Sequence, residues 1–565
     1  MNSPNSSKPT DIPVLIVGGG PVGLGLALEL ASRQICCTLI EKGDGVVRLS
    51  KMGHVSVRSM EHCRRWGVAE AVRNVPFPRD YPADQVFCTS LTGRHVTTLK
   101  YPSKDQELSN AFSPEQKQRC PQLWFDPILA KSAAQNSAIE LRYGTQLESF
   151  LQDADGVTAQ LRDLGSGRLN TMRARYMVGC DGAGSVVRQA LGIEYEGDPV
   201  LSYSVGIYFT ARDLVQHHPM GAASRYWLIG PEGTWGNLTV VDGKDLWRLT
   251  ITGSQEKVEA KDFDADHWLR RCLGSDAISY HIDAVLPWRR SRLVARKYGS
   301  GRVFLAGDAC HLNAPNGGYG MNTGLGDAVD IGWKLAATLQ GWGGPKLLAS
   351  YETERRPVAQ RNVDAAAQNF GSTRPSVSYT HVEEAGAEGE RTREALSAHM
   401  NSNTRQEWET LGVHLGYRYE GSPIIWADGT AEPADHLSDY VPTARPGHRA
   451  PHVFLSEGNS ILDLFGQGFV LLDFSSADGA SIDAAPLREA ASRLGIPFAV
   501  HNIANAEAAT LYERRLVLVR PDGHVAWRGD ELDIDSESLW RMVTGWQEEE
   551  DRRGAHERSQ SGVPA

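Results

Sequence analysis

Residues 12–41 read IPVLIVGGGPVGLGLALELASRQICCTLIE. The apolar run at 12–17 has the length of a buried strand, the glycines of 18–23 make a turn, 24–32 is rich in helix formers, and CCTLIE at 36–41 returns as a second strand. That is a βαβ unit. Gly18-Gly19-Gly20-Pro21-Val22-Gly23 fits G-x-G-x-x-G where strand gives way to helix. Glycine there permits a tight turn, lets a pyrophosphate approach the backbone and lets the helix pack on the sheet, while the helix N-terminus attracts negative charge. Glu41 closes the second strand, where an acidic side chain accepts hydrogen bonds from an adenosine ribose, and Lys42 follows it. Together these features point to a bound dinucleotide without saying which.

The remainder of the chain narrows the class. Its 565 residues exceed what one core buries, so at least two domains are expected. A hydrophobic share of 41% with 22% charged residues is that of an ordinary globular protein. The net charge of -11, without a Lys/Arg-rich run, argues against nucleic acid as a partner. Residues 14–31 are long and apolar enough to raise a membrane span, but Pro21, Glu29 and the glycine cluster read instead as strand, turn and helix, so no membrane is expected. The first residues, MNSPNSSKPTD, lack the charged-then-apolar order of a secretory signal, and the cytoplasm is the expected location. Eight cysteines, all at or before Cys310 and with no C-x-x-C, make neither a disulfide framework nor a dithiol centre, and no spacing of ligands predicts a metal.

Between about 200 and 255 the segments SVGIYFT, SRYWLIG, WGNLTVV and DLWRLTITG are aromatic, β-branched and partly alternating, which predicts a mostly antiparallel sheet. Residues 301–342 read as a buried strand, a glycine-rich loop and a long helix beginning near Asn322, with another helix around 345–369. Residues 371–446 read as a linker or cover, 447–544 as a compact α/β module, and the last twenty as a charged tail.

Two further motifs carry chemistry. Gly179-Cys180-Asp181-Gly182-Ala183-Gly184-Ser185-Val186-Val187-Arg188 places an Asp-Gly turn after a strand, and Gly307-Asp308 lies in RVFLAGDACH ahead of Pro315-Asn316-Gly317-Gly318-Tyr319-Gly320-Met321-Asn322-Thr323. With all three elements in this order the sequence resembles the flavoprotein aromatic hydroxylases, the single-component FAD monooxygenases whose type member acts on para-hydroxybenzoate, and specifically their phenol-hydroxylase-like branch. The resemblance covers nearly the whole chain.

It implies an α/β fold with a discontinuous Rossmann-like FAD-binding domain (1–80, 118–190 and 285–370). A substrate-binding β-sheet domain (81–117 and 191–284), a helical linker (371–446), a thioredoxin-like domain (447–545) and a tail (546–565) complete it. Gly18, Gly20, Pro21, Val22, Gly23, Glu41 and Lys42 would hold the adenosine and pyrophosphate, Asp181 and Gly182 the pyrophosphate region, and Asp308 the ribityl hydroxyls. Pro315, Gly318, Gly320, Met321 and Asn322 would lie against the flavin ring, Arg58 would reach the FAD phosphates and Gln122 the ribityl chain. Asp126 stands where many relatives carry Glu, Ala314 where relatives often have Pro, and His311 where a histidine supports the loop. The thioredoxin-like module holds no cysteine, so it cannot exchange disulfides; its implied role is structural, near the interface of a homo-oligomer, a dimer.

The activity implied is hydroxylation of a phenolic or related small aromatic substrate by NADPH or NADH and O2. Reduced FAD adds oxygen at C4a, and the resulting hydroperoxide delivers the hydroxyl. A phenol, with a pKa of about 10, reacts better as phenolate, so a base would help. Candidates are His54, Arg225 and Tyr226 foremost, then Tyr203, Tyr208 and Arg248. The alternatives are a halogenase or epoxidase of the same fold, or a flavin-binding protein without catalysis; none of the fourteen tryptophans lies in the G-W-x-W-x-I-P signature of halogenases.

Overall fold

The computed structural model describes residues 11–107, 111–372, 377–475 and 482–546; the polar leader and all but the first residue of the 546–565 tail lie outside it. The βαβ unit forms as read. Strand Ile12–Val17 pairs in parallel with Cys37–Ile40 on one side and with Leu169–Gly179 on the other, and the latter pairs in parallel with Val303–Leu305. Register is the consequential feature. Val17 is level with Ile40 and with Gly179, and Gly179 with Leu305. The chain therefore leaves four parallel strands at one edge, delivering the glycine turn, Glu41, Asp181 and Asp308 there although nearly 300 residues separate the first from the last.

The helix after the glycine turn runs Pro21–Ala31, three residues earlier than the propensity-based start, because proline's fixed φ suits the first helical position. It packs on helix Tyr319–Gln340, where Gly25 leaves room for Leu325 and Trp66. That long helix likewise begins before Asn322. Gly317 and Gly318 both adopt positive φ (90° and 68°), so the turn is completed sooner than a loop running to Asn322 would have it.

The second sheet has eight strands, in the order His311–Leu312, His281–Ala295, Tyr195–Thr210, Leu246–Ser254, Gly233–Val240, Arg225–Gly230, Gln85–Cys88 and His95–Leu99. All its pairings are antiparallel except Arg225–Gly230 with Gln85–Cys88. Its register gives each face a distinct character. Arg225, Thr239, Arg248 and Tyr208 are level with one another and share one face; Tyr226, Leu238, Leu249 and Ile207 are level on the other. The second set, with Trp247, packs against helix Ala265–Leu273 as an apolar core.

A third, four-stranded sheet, Phe498–Asn502, Phe469–Asp473, Leu516–Val519 and Val525–Gly529, with helices Ala485–Arg493 and Ser536–Val543, forms the thioredoxin-like module. It is welded to the part built on the first sheet by fully buried charges. Arg520 pairs with Glu354 (2.6 Å) and Asp522 (2.7 Å), and Lys334 pairs with Glu354 and Asp330 (2.6 Å each). Helix Ala387–Asn403, from the stretch read as linker or cover, lies over the second sheet, its Leu396 and Met400 against Phe87 and Trp227.

Candidate active site

At the shared strand edge, steric demands explain the glycines. Gly18 has φ +111° and a Cβ there would stand 2.3 Å from the Cys180 carbonyl oxygen; one on Gly23 would stand 2.0 Å from that of Gly18. By contrast, a Cβ on Gly20, Gly182 or Gly318 would meet nothing within 4 Å, so these three turns present open backbone to the cleft. Glu41 accepts hydrogen bonds from Gly19 N–H (2.8 Å) and Gly43 N–H (2.7 Å), which orients its carboxylate and leaves each oxygen a further lone pair. Lys42 beside it is exposed. Asp181 accepts from Val187 N–H through Oδ2 (3.1 Å) while its Oδ1 is buried without a partner. An orphaned buried carboxylate oxygen next to open glycine backbone fits a dinucleotide that donates hydroxyls and carries phosphates.

The Gly307–Asp308 turn is held from below. Asp327, fully buried on the long helix, accepts from Gly307 N–H (3.1 Å) and His311 Nε2 (2.9 Å) through Oδ2, and pairs with Arg355 through Oδ1 (2.8 Å). Val22 fills the space between Gly307 and Gly324, coupling the first motif to the third. The Asp308 side chain reaches the surface of the cleft, yet the protein enclosing it raises its carboxyl above the ordinary range, an effect that His311 and Lys51 oppose. His311 thus supports the loop: burial would lower its pKa, but the charge and hydrogen bond of Asp327 raise it.

The loop that follows is tied down at both ends. Pro315 is exposed and Met321 half-buried. Asn322 accepts from Ser56 N–H (2.9 Å) and Ser59 Oγ (2.7 Å) and donates to the Gly318 carbonyl (2.8 Å), fixing the helix start against residues 54–59. Asn316 donates to Glu407 (3.2 Å), which also pairs with Arg225 (3.1 Å). The Arg225 face of the antiparallel sheet is thereby joined to the glycine-rich loop. Gln122 donates to Asp126 (2.9 Å) and accepts from Lys51 N–H (3.2 Å); burial pushes the Asp126 carboxyl up to about 7.

Two residues singled out from sequence are engaged elsewhere. Arg58 is nearly buried, and its guanidinium bonds Glu61 and the Asp522 carbonyl (2.7 Å each), a seam with the C-terminal module completed by Arg449 on Glu61 (3.0 Å). Tyr226 is fully buried on the core face of the sheet, its hydroxyl on the Gly221 carbonyl, and burial holds it protonated far above neutrality. Strand alternation puts it on the side opposite Arg225, within the apolar core. His54 pairs with Arg119 in a short antiparallel ladder, beside the Asn322 amide, which donates to its carbonyl (3.4 Å). Burial and the charges of Arg119, Lys117 and Arg225 hold its imidazole neutral, well below its ordinary pKa. Tyr208 and Arg248 both donate to the Ser50 carbonyl (3.1 and 3.2 Å). Tyr203 sits at a β-bulge, near Lys257.

Sequence reading missed Lys51, Arg119, Asp327 and Glu407. Asp327 carries a local signal, an acid on the inner face of the helix after the Gly307–Asp308 motif. Glu407 lies in the stretch read as linker or cover and has none.

Comparison with known proteins gives two family matches. A model described as FAD binding domain matches residues 11–366, and one described as aromatic-ring hydroxylase, C-terminal, matches residues 443–549. The chain is 33% identical over 560 residues, 93% of its length and 88% of the relative's, to the FAD-dependent monooxygenase apdD of Emericella nidulans. Among solved structures it is similar to the rebeccamycin biosynthetic enzyme RebC with reduced flavin (38% identity, TM-score 0.88, covering 96% of this chain and 100% of that one). It is also similar to a ternary complex of aklavinone-11 hydroxylase with FAD and aklavinone (29% identity, TM-score 0.79, covering 95% and 100%).

Proposed function

This chain belongs to the FAD-dependent aromatic-ring hydroxylases, and we propose that it spends NADPH or NADH and O2 to hydroxylate a phenolic or related aromatic substrate lying on the Arg225 face of its antiparallel sheet, beside the glycine-rich loop. FAD, when bound, supplies the electron transfer and the activation of oxygen. The protein's own residues bind, orient and exclude water. The Gly18–Gly23 turn and the helix behind it receive the pyrophosphate, with Asp181 and Gly182 opposite, and Glu41 takes the ribose hydroxyls. Asp308 and Gln122 hold the ribityl chain. The backbone from Pro315 to Asn322 would hold the flavin ring, and the N-terminus of the long helix would favour negative charge there.

The observation that carries this reading is the Asn316–Glu407–Arg225 bridge, which sets the polar sheet face directly beside the glycine-rich loop. A ring placed there meets arginine charge that favours the phenolate, and a neutral His54 able to accept a phenol hydrogen bond. His54 is too weakly basic to hold the proton itself, so the arginines do more to lower the phenol pKa than the imidazole does to remove its proton.

Stopped-flow oxidation of NADPH and NADH by the purified yellow protein across phenol, 2,4-dichlorophenol and 1-naphthol tests this. Substrate-stimulated flavin reduction with stoichiometric hydroxylated product is expected; peroxide as the only product with every phenol would overturn it.

A further inference from the structure

One hairpin turn of the C-terminal module reaches deep into the rest of the chain. Residues 520–524, RPDGH, join strand Leu516–Val519 to strand Val525–Gly529. Gly523 closes the turn at φ +85°, its N–H on the Arg520 carbonyl (2.9 Å). Connecting turns ordinarily run over the surface, yet Arg520, Asp522 and His524 are fully buried. Taking three polar residues out of water is unfavourable unless each is engaged, so their contacts matter.

Two chains of contact lead from this turn to opposite ends of the glycine-rich region. In the first, the Asp522 carbonyl accepts from Arg58 (2.7 Å). Arg58 opens helix Val57–Arg65 between Ser56 and Ser59, the two serines that donate to Asn322 (2.9 and 2.7 Å), and Asn322 donates to the Gly318 carbonyl (2.8 Å). In the second, the His524 ring lies against those of Tyr419 and Tyr417 (4.3 and 5.4 Å between centres). The Tyr419 hydroxyl accepts from Arg355 (3.4 Å), whose guanidinium also lies over the Tyr417 ring (5.3 Å). Arg355 pairs with Asp327 (2.8 Å), which accepts from Gly307 N–H (3.1 Å). Burial lowers the His524 pKa to about 4 against the opposing charge of Asp522, so it enters the stack as a neutral ring. A cavity lined by Ser56, Arg58, Asn322, Arg355, His414 and Tyr417 lies between the two chains, so close packing does not bypass them there.

We propose that the 520–524 turn positions the flavin loop from behind, with His524 and Arg58 as positioning residues. His524 acts on the Gly307–Asp308 turn through Tyr419, Arg355 and Asp327; Arg58 acts on the Gly318 end through Asn322. This rests on the reading that FAD lies against that loop. It gives the module, which has no cysteine to exchange, a part in setting the flavin's surroundings.

The test uses the full chain loaded with FAD, without substrate. Visible circular dichroism and the midpoint potential read the surroundings of the flavin ring, fluorescence quenching reads FAD affinity, and thermal melting reads stability. His524→Ala, Arg58→Met and Tyr419→Phe, which removes only the hydroxyl on Arg355, should each alter the flavin dichroism and potential and raise the FAD dissociation constant ~2- to 30-fold, the range for coupling carried through packed networks. His524→Phe keeps a ring on Tyr419 and should restore wild-type values. Phe474→Leu, in the module's own core beside Tyr512, should lower the melting temperature and leave the flavin signals unaltered. Unaltered flavin signals in the three variants, failure of His524→Phe to restore them, or an equal change in Phe474→Leu would overturn the coupling alone. A wild-type protein that takes up no FAD would overturn the cofactor reading, and the coupling with it.

Discussion

Replacing Asp327 with alanine should release the Gly307–Asp308 turn and weaken FAD binding and folding together. The carboxylate holds Gly307 N–H, His311 and Arg355 at 3.1, 2.9 and 2.8 Å, and both its ion-pair partners are buried with it. Truncation leaves Arg355, among the described residues, with the Thr323 carbonyl (3.0 Å), the Tyr419 hydroxyl (3.4 Å) and the Tyr417 ring (5.3 Å to its centre). Breaking a buried pair from one side costs about 3–5 kcal/mol, and an orphaned backbone N–H about 1–3 kcal/mol more. These terms overlap, so about 4 kcal/mol is expected, roughly a thousandfold in the folding constant and a large part of a typical domain's 5–15 kcal/mol. Asp327→Asn keeps an oxygen for Arg355 and should lose less. Urea denaturation followed by tryptophan fluorescence reads the stability, and quenching of FAD fluorescence reads the affinity. The pH dependence has a definite sign. Asp327 is lowered from 3.8, so its contribution is complete above that value and lost as pH falls through its folded pKa; His311 is raised from 6.5, so its contribution is complete below that value and lost as pH rises through its folded pKa. The wild-type advantage over Asp327→Asn should therefore be largest between 3.8 and 6.5. An alanine variant with unaltered denaturation midpoint and FAD affinity would refute the idea that this carboxylate supports the flavin loop.

Two other outcomes are expected. Gly18→Ala puts a Cβ 2.3 Å from the Cys180 carbonyl at φ +111°, so the purified variant should retain little FAD, read as the ratio of flavin to protein absorbance; full retention would mean the turn can open without cost. Arg520→Met strips Glu354 of one of its two cations and should cost about 3–5 kcal/mol, splitting the C-terminal module's melting from that of the flavin-binding part in calorimetry. A single unshifted transition would show that the buried charges do not weld the two.

Much of the candidate cofactor site is legible in the chain because its constraints are local. A glycine at φ +111° or a proline at the first helical position is selected by atoms a few residues away, so Gly18, Pro21 and the Gly307-Asp308 pair can be recognised in a one-dimensional string. Glu41 is found because a strand of given length ends where it does. The helix starts were read late, since propensity reports the body of a helix better than its first turn.

The sheet faces follow a different logic. In a strand a one-residue slip exchanges the two faces, and nothing local distinguishes Arg225 from Tyr226 as the side chain facing the cleft. Arg58 illustrates the same limit. Its guanidinium meets the carbonyl of Asp522, 464 residues away, a partner that no spacing predicts. Sequence alone determined the turns, strand ends and helix that a dinucleotide requires, because short-range sterics choose those residues. Only the tertiary structure decided which arginines share a face of the sheet, which carboxylates pair with them and which charges bind the C-terminal module, because those pairings depend on sheet register and on contacts between segments hundreds of residues apart.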